Sequence, residues 1–482
     1  MKPSTSFILT RFPVPHSVYR DIHTQIDKLT ISQRHFVLHV LVSNLINLQK
    51  IRNRGLDGYL GMGIELPIQW IEEHFTSHFR VSQIDPSLLT MTTYSTLKHE
   101  CRAFTAGALL LKSILEWSPP PSGAAEPVVN LFDGRPYEVQ APAQREHGIF
   151  SSKIIRDAVK VFDSCPFNEV EVRAHLAEME ASVILGVSPA EQEHRRLALQ
   201  NDRVCAMRIL GGNERGKDGL TCYRPEFRTS YTGRITEVGG GSQSCSRAMK
   251  RALFGGIPKL KNYDLRRAQA FILLQELEDA GLPRGWVERY ANEENANEKR
   301  AYALGISKDA YKACLYATIM GASHARLWDS SKNEVFQRLL KERSGDYAKA
   351  KAVTISVYGA LAPLKREVDA WHDYLMKDQG CRHVDSTRRR VRTLKNACGQ
   401  HFKLEGERSD KLARRAAAFI LQGQEAAFIH RLTVLGSIGD FKPISNQHDG
   451  LVVLGQIDTT AVRQAARESG LRYATLEEKE FV

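Results

Sequence analysis

No stretch of this chain approaches the ~20 consecutive apolar residues of a membrane-spanning helix, so no membrane partner is expected. The eight cysteines are scattered over 482 residues with no Cys-x-x-Cys pair, which excludes a small disulfide scaffold and points to reduced thiols in a cytoplasmic protein. Internal repeats are absent. The first residues, MKPSTSFILTRFPVPHS, carry only a short apolar patch broken by Arg11 and two prolines, a poor signal peptide.

What is present is an ordinary globular composition, 42% hydrophobic and 25% charged, in a chain long enough for two to four domains. Basic residues exceed acidic ones by 67 to 55, a net charge of +12. Such an excess suits phosphate-rich partners but does not identify one. SPPPSGAAEP at 118–127 is the clearest linker, stiff and then loose. Before it, 34–48, 64–75 and 94–117 are expected as helices of a small N-terminal helical unit with a helix-turn-helix reading open. Beyond it, long helices are expected within 167–210, a short strand at 257–263, an amphipathic helix at 266–282 and almost wholly helical structure from Pro283 to Gly436. A hairpin at 441–455 follows, then a helix capped by Asp458. A strand, a long helical insertion and a hairpin predict one mixed α+β domain with helices inserted into it.

FKPISNQHDGLVVLG, 441–455, sets His448 and Asp449 at the hairpin tip. Asp-Gly favours tight turns, so a plain turn is one reading; a metal ligand on a rigid platform is the other, and it needs a second acid. Asp264, at the end of IPKLKNYD, is the candidate. In SKDAYKACLYATIMGAS, after an N-cap at Ser307, Lys308, Lys312, Tyr316 and Met320 recur at intervals of four along one helix face. A solvated basic edge, or a seat for phosphates and a base, would both produce that pattern.

Together these segments resemble motifs A, B and C of the DNA polymerase I family (family A), whose arrangement the single-subunit phage-type RNA polymerases share. The family's motif B runs Arg-x3-Lys-x3-Phe-x3-Tyr-Gly; here it is Lys308-x3-Lys312-x3-Tyr316-x3-Met320-Gly321. Upstream, RTSYTGRITEVGGGSQSCSRAMKRALF (228–254) is similar to the approach to motif A. Downstream, RRAAAFILQGQEAAFIHRL (414–432) is similar to the family's Gln-Gly helix, with Ala418 where the family has Asn.

The resemblance implies a mostly helical α+β right-hand polymerase with an extra N-terminal helical domain. Its parts would be an N-terminal unit at 1–117, a linker at 118–149, a thumb at 150–225, a palm at 226–285 and 430–482, and fingers at 286–429. Asp264, Asp449 and the Leu265 carbonyl would hold two Mg²⁺ ions, with Mn²⁺ as a substitute. Lys308 and Lys312 would hold the triphosphate, Lys312 would protonate the leaving pyrophosphate, and Tyr316 would stack near the nucleotide. Gln269 stands where the family's Glu gates the sugar. Arg234, Gln243, Arg414, Gln422 and His448 would contact primer and template. The implied partners are a DNA primer-template, nucleoside triphosphates and replication accessory proteins, at the nucleoid. Gly450 replaces an acid often found after Asp449, and Met320 replaces the motif B Tyr. Nothing in 1–220 resembles the family's exonuclease, so proofreading is not expected.

Two rivals stay open: a single-subunit RNA polymerase or primase-like enzyme, and a non-catalytic DNA-binding replication protein. The chain's compact size suggests replication of a plasmid, phage or other mobile element. STRRRVRTLK (386–395) is either a solvated helix face or a grip on the template backbone. Cys381-x-His383 and Cys398-x2-His401 are spaced unlike common zinc fingers, so structural Zn²⁺ is not expected.

Overall fold

The computed structural model describes residues 12–53, 64–67, 84–96, 99–115, 127–136, 152–184, 189–211, 213–215, 220–238, 241–324, 333–377, 381–384, 390–404 and 409–481. The chain is mostly helical, with several small antiparallel sheets, as expected for an α+β class. Among the described residues no helix is long and apolar enough to cross a membrane.

At the centre lies a four-stranded sheet in the order Lys442–Asn446, Gly450–Leu454, Leu260–Leu265, Leu476–Lys479. Tyr263, Leu265, Leu451 and Val453 point to one face and join a core with the helices Ala268–Asp279, Lys308–Ile319, Tyr347–Lys377 and Asp410–Gly436. Ile444 and Val452 belong to a second core on the other face, with Met249, Leu253 and Phe254 of the helix Arg247–Phe254. A strand buried on both faces has no polar side to alternate, which explains the unbroken Leu451–Val452–Val453–Leu454 run. Pro443 sits in the edge strand beside a bulge before Ser445, where a missing N–H costs no ladder bond.

Helix starts follow their caps. Ser307 accepts from the Ala310 N–H at 3.1 Å, Ser246 from Met249 at 2.9 Å, and Asp458 from Ala461 at 2.6 Å, each satisfying an otherwise orphaned donor. The expected helices at 167–210 are Glu169–Ile184 and Pro189–Gly211.

Three expectations need correction. The N-terminal unit is not all helical: Leu89–Thr96 pairs with His99–Ala106 as a hairpin, Ile64–Pro67 adds a third strand, and among the described residues of the expected 94–117 helix only Ala108–Leu115 is helical. The LTMTTYST sequence is rich in Thr and Tyr, which suit a pleated surface better than a helix. Residues 68–75, the rest of the expected second helix, lie outside the described residues. Secondly, 127–136 of the expected linker contains the strand Val128–Asn130, paired with Pro13–Pro15. Buried residues of the N-terminal unit, such as Phe36 and Leu110, share one core with Leu199 and Met207 of the helix Pro189–Gly211. Thirdly, the helical insertion carries a three-stranded sheet of Cys381–Val384, Arg390–Lys395 and His401–Lys403. The basic stretch 390–395 is therefore a strand, and Leu394 and Phe402 bury themselves against Ala416 and Phe419. Residues 386–389 lie outside the described residues.

Gly423, inside the long helix Asp410–Gly436, shows how closely that helix is approached. A Cβ there would sit 2.3–2.6 Å from three atoms of the Asn396 side chain. That buried amide donates to the Thr232 carbonyl at 2.9 Å and accepts from the Gln400 N–H at 3.0 Å, so it has no room to retreat. In an open helix Gly→Ala gains up to about 1 kcal/mol; here overpacking of roughly 1–3 kcal/mol works against it. Gly423→Ala is expected to lower stability in a urea titration, where propensity alone would raise it.

Candidate active site

Strand register brings the two acids together. Asp264 is directly opposite Gly450, so Asp449, one residue earlier, leaves its strand beside the end of the Asp264 strand. The Leu265 N–H donates to the Asp449 carbonyl at 2.8 Å, tying the two backbones. A Cβ on Gly450 would lie 2.4 Å from Asp264 Oδ1 and 2.5 Å from the Tyr263 carbonyl. An acid at position 450 cannot fit while Asp264 keeps this approach.

The reversal at the tip differs from an Asp-Gly turn. His448 carries the left-handed backbone, φ 72°, and the Asp449 N–H donates back to the Gln447 carbonyl at 3.1 Å. That is a γ-type turn around His448, a sparsely populated geometry for a residue with a side chain. Asn446 Oδ1 accepts from the His448 N–H at 2.9 Å, and the Lys250 ammonium holds Gln447 Oε1 at 2.5 Å. The tip is thus braced from both sides, and Asp449 is aimed by it.

Below the hairpin runs a buried polar network. Ser242 Oγ lies 2.5 Å from Ser445 Oγ and donates to Glu237 at 2.9 Å, while the Tyr223 hydroxyl donates to the same carboxylate. Gln243 accepts from the Glu237 N–H at 2.8 Å and donates to Asn446 Oδ1 at 3.4 Å. Its amide therefore links the TGR segment to the tip.

Both acids line one cleft of about 520 Å³, together with Arg247, Lys250, Asn262, Gln447 and Lys479. Asp449 reaches solvent through the cleft mouth but is surrounded by protein. That desolvation, and then the charge of Asp264, raise its pKa, opposed by Arg234 and Lys479. His448 is driven down to about 4 by burial and by the cations Arg234 and Lys250, so at neutral pH it is an uncharged imidazole.

Arg234 pairs with Glu425 of the helix Asp410–Gly436. Glu425 is almost fully buried, and burial lifts its pKa to about 7 against the pull of Arg234. Tyr316 is half-buried; desolvation, then Tyr290, Asp449 and Glu425, raise its pKa, keeping it a neutral phenol within electrostatic range of Asp449. Lys308 is paired with Glu298, and Lys312 is half-buried on the same helix. Arg414 is exposed and its Nε donates to the Asp410 carbonyl at 3.2 Å. Gln422 is half-buried.

Four polar atoms around this region are buried without a hydrogen-bond partner: Asn262 Oδ1, Gln269 Oε1, Arg234 Nε and His448 Nδ1. Such orphans are costly; Asn262 lines the cleft itself, and Arg234 and His448 lie within electrostatic range of one another beside Asp449. Among the described residues no group of three or more His, Cys, Asp or Glu could hold a metal ion. Two carboxylates with neighbouring amide and carbonyl oxygens nevertheless suit a hard divalent cation. Mg²⁺ commonly takes one or two carboxylates and completes its shell with water and phosphate.

The sequence reading missed Glu425, Asn262, Arg267 and Lys479. Glu425 was visible as a lone acid directly before the apolar AAFI run, and Asn262 as the residue two before Asp264 on a strand. Arg267 starts the helix Ala268–Asp279 with φ 47° and donates to the carbonyls of Tyr290 and Ala291; nothing in the sequence marks it.

No protein-family model and no curated protein matches this sequence. Among solved structures the chain is similar to the POL domain of Pol1 from M. smegmatis in complex with DNA primer-template and dNTP. The identity is 13%, the TM-score 0.45, and the match covers 68% of this chain and 69% of that one.

Glu425 makes a pH prediction. The unfolded chain releases this proton near 4.5 and the folded one near 7, so between those values the native state binds more protons and stability falls as pH rises. Each unit is worth about 1.4 kcal/mol. Wild type should lose roughly 3 kcal/mol relative to Glu425→Gln between pH 4.5 and 7 in denaturant titrations; a flat difference across that window would show that Glu425 is ionised throughout.

Proposed function

We propose that this protein is a template-directed DNA polymerase that joins a deoxynucleotide to a primer 3′-hydroxyl. The observation that carries this reading is the meeting of Asp264 and Asp449 at one cleft, on paired strands, within electrostatic range of the helix that bears Lys308, Lys312 and Tyr316. In this reading the central sheet with 226–285 and 430–482 is the palm, 286–429 the fingers and 150–225 the thumb.

Asp264, Asp449 and the Leu265 carbonyl would hold two Mg²⁺ or Mn²⁺ ions, which when bound activate the hydroxyl and neutralise phosphate charge. Lys308 and Lys312 bind the triphosphate of the incoming nucleotide. As the primer 3′-hydroxyl gives up its proton to water and its oxygen bonds to the α-phosphorus, the bond to pyrophosphate breaks and Lys312 gives that leaving group a proton. Tyr316, a neutral phenol, packs against sugar and base without adding charge. Gln269 stands at the sugar edge, bulky enough to favour deoxynucleotides. His448, neutral at working pH, offers its orphaned Nδ1 to the primer terminus. Arg234, steadied by Glu425, and Gln243 hold the primer-template beside the tip. Arg414 and Gln422 present a further polar edge to the template.

Primer extension on a DNA template with Mg²⁺ tests this directly. Wild type is expected to extend with deoxynucleotides, and Asp264→Asn or Asp449→Asn to lose on the order of 10³-fold or more. Lys312→Ala should cost roughly 10²-fold in kcat. Extension with ribonucleotides alone would reassign the chain to RNA synthesis. No synthesis with either, alongside tight DNA binding, would make it a non-catalytic DNA-binding protein.

A further inference from the structure

The strand Leu476–Lys479 completes the sheet at its edge, pairing Lys479 with Asn262 and Glu477 with Asp264. Alternation along the pleat sets Lys479, Asn262 and Asp264 on one face of the sheet. The neighbouring acids on this strand are already engaged: Glu477 with Arg266 at 3.0 Å, and Glu478 with Lys261 at 2.9 Å and the Tyr263 hydroxyl at 3.3 Å. Lys479 instead crosses to Asp264, its Nζ lying 2.5 Å from Oδ2. Its charge also reaches Asp449. A tethered cation thus stands on a carboxylate oxygen at which the proposed metal site would begin.

We propose that Lys479 is a built-in counter-ion of the two-carboxylate site, and that a divalent metal binds only by displacing its ammonium from Asp264. The idea rests on the reading of Asp264 and Asp449 as metal ligands. Lys479 suits the part because it can leave cheaply. Its strand is the outermost of the sheet, and its side chain is 46% exposed. With the ammonium in place Asp264 is neutralised by direct contact, while Asp449 feels Lys479 and Arg234 only at a distance, and Asn262 Oδ1, directly across the ladder, is buried without a partner. With the ammonium swung into solvent, Asp264 Oδ2 is free and a divalent ion can balance both carboxylates. The apo site is thereby protected from the repulsion of its own acids, at the cost of weaker metal affinity. Arg247 and Lys250 line the same cleft, but Lys250 is committed to Gln447.

The test is Mn²⁺ binding to the full chain, read as loss of the free-ion paramagnetic resonance signal, in wild type, Lys479→Gln, Lys479→Arg and Asp449→Asn. Lys479→Gln should bind Mn²⁺ roughly twofold to fivefold more tightly than wild type, the scale of a half-exposed ion pair. Lys479→Arg, which keeps the charge, should bind like wild type. Mn²⁺ binding that Asp449→Asn abolishes but Lys479→Gln leaves equal or weaker would overturn the counter-ion role while leaving the metal site standing. Absence of binding in all four proteins would remove the metal site itself, and this proposal with it.

Discussion

Two carboxylates are forced towards each other by backbone pairing, and the surrounding architecture follows from that constraint. With Asp264 opposite Gly450, neither acid can withdraw without breaking ladder hydrogen bonds on a strand buried on both faces. Like charges at such a position are unfavourable in a medium less polar than water. Cations are gathered around them: Lys479 on Asp264, Arg234 within electrostatic range of Asp449, and Lys250 lining the same cleft. A side chain at 450 would collide with Asp264, so the glycine sets how near the pair can come.

The second constraint is rigidity at the tip. A left-handed His448 is held by the Asn446 side chain below it and by Lys250 through Gln447. The Ser242–Ser445–Glu237 network locks the segment that carries Arg234 and Gln243 against the same hairpin. Glu425 joins the helix Asp410–Gly436 to this assembly by pairing with Arg234. Three distant parts of the chain thereby share one polar framework, which is what a site needing sub-ångström positioning requires.

Much of this was legible in the sequence because the relevant signals were local. Ser307 and Asp458 announced their helices, the Leu451–Leu454 run announced a buried strand, and Asp264 and Asp449 stood at strand ends. The errors came where the determinants were tertiary. The strand at 390–395 was read as helix because its basic residues hid the Val391, Thr393 and Leu394 that suit a pleated strand, and its burial depends on Phe402 and Phe419. The LTMTTYST hairpin was missed because the apolar segment after it dominated the pattern. Lys479 could not be foreseen, since its partner is set by which strand joins the sheet edge, and sequence spacing carries no information about that.

The central claim is that Asp264 and Asp449 form one divalent-metal site at the cleft. Anomalous scattering from crystals of the chain with a primer-template, an incoming nucleotide and Mn²⁺ measures this most directly. The account predicts two peaks about 4 Å apart between the carboxylates, with the Lys479 ammonium withdrawn from Asp264 Oδ2. A cleft empty of anomalous density, with Lys479 still seated on Asp264 at saturating Mn²⁺, would contradict it.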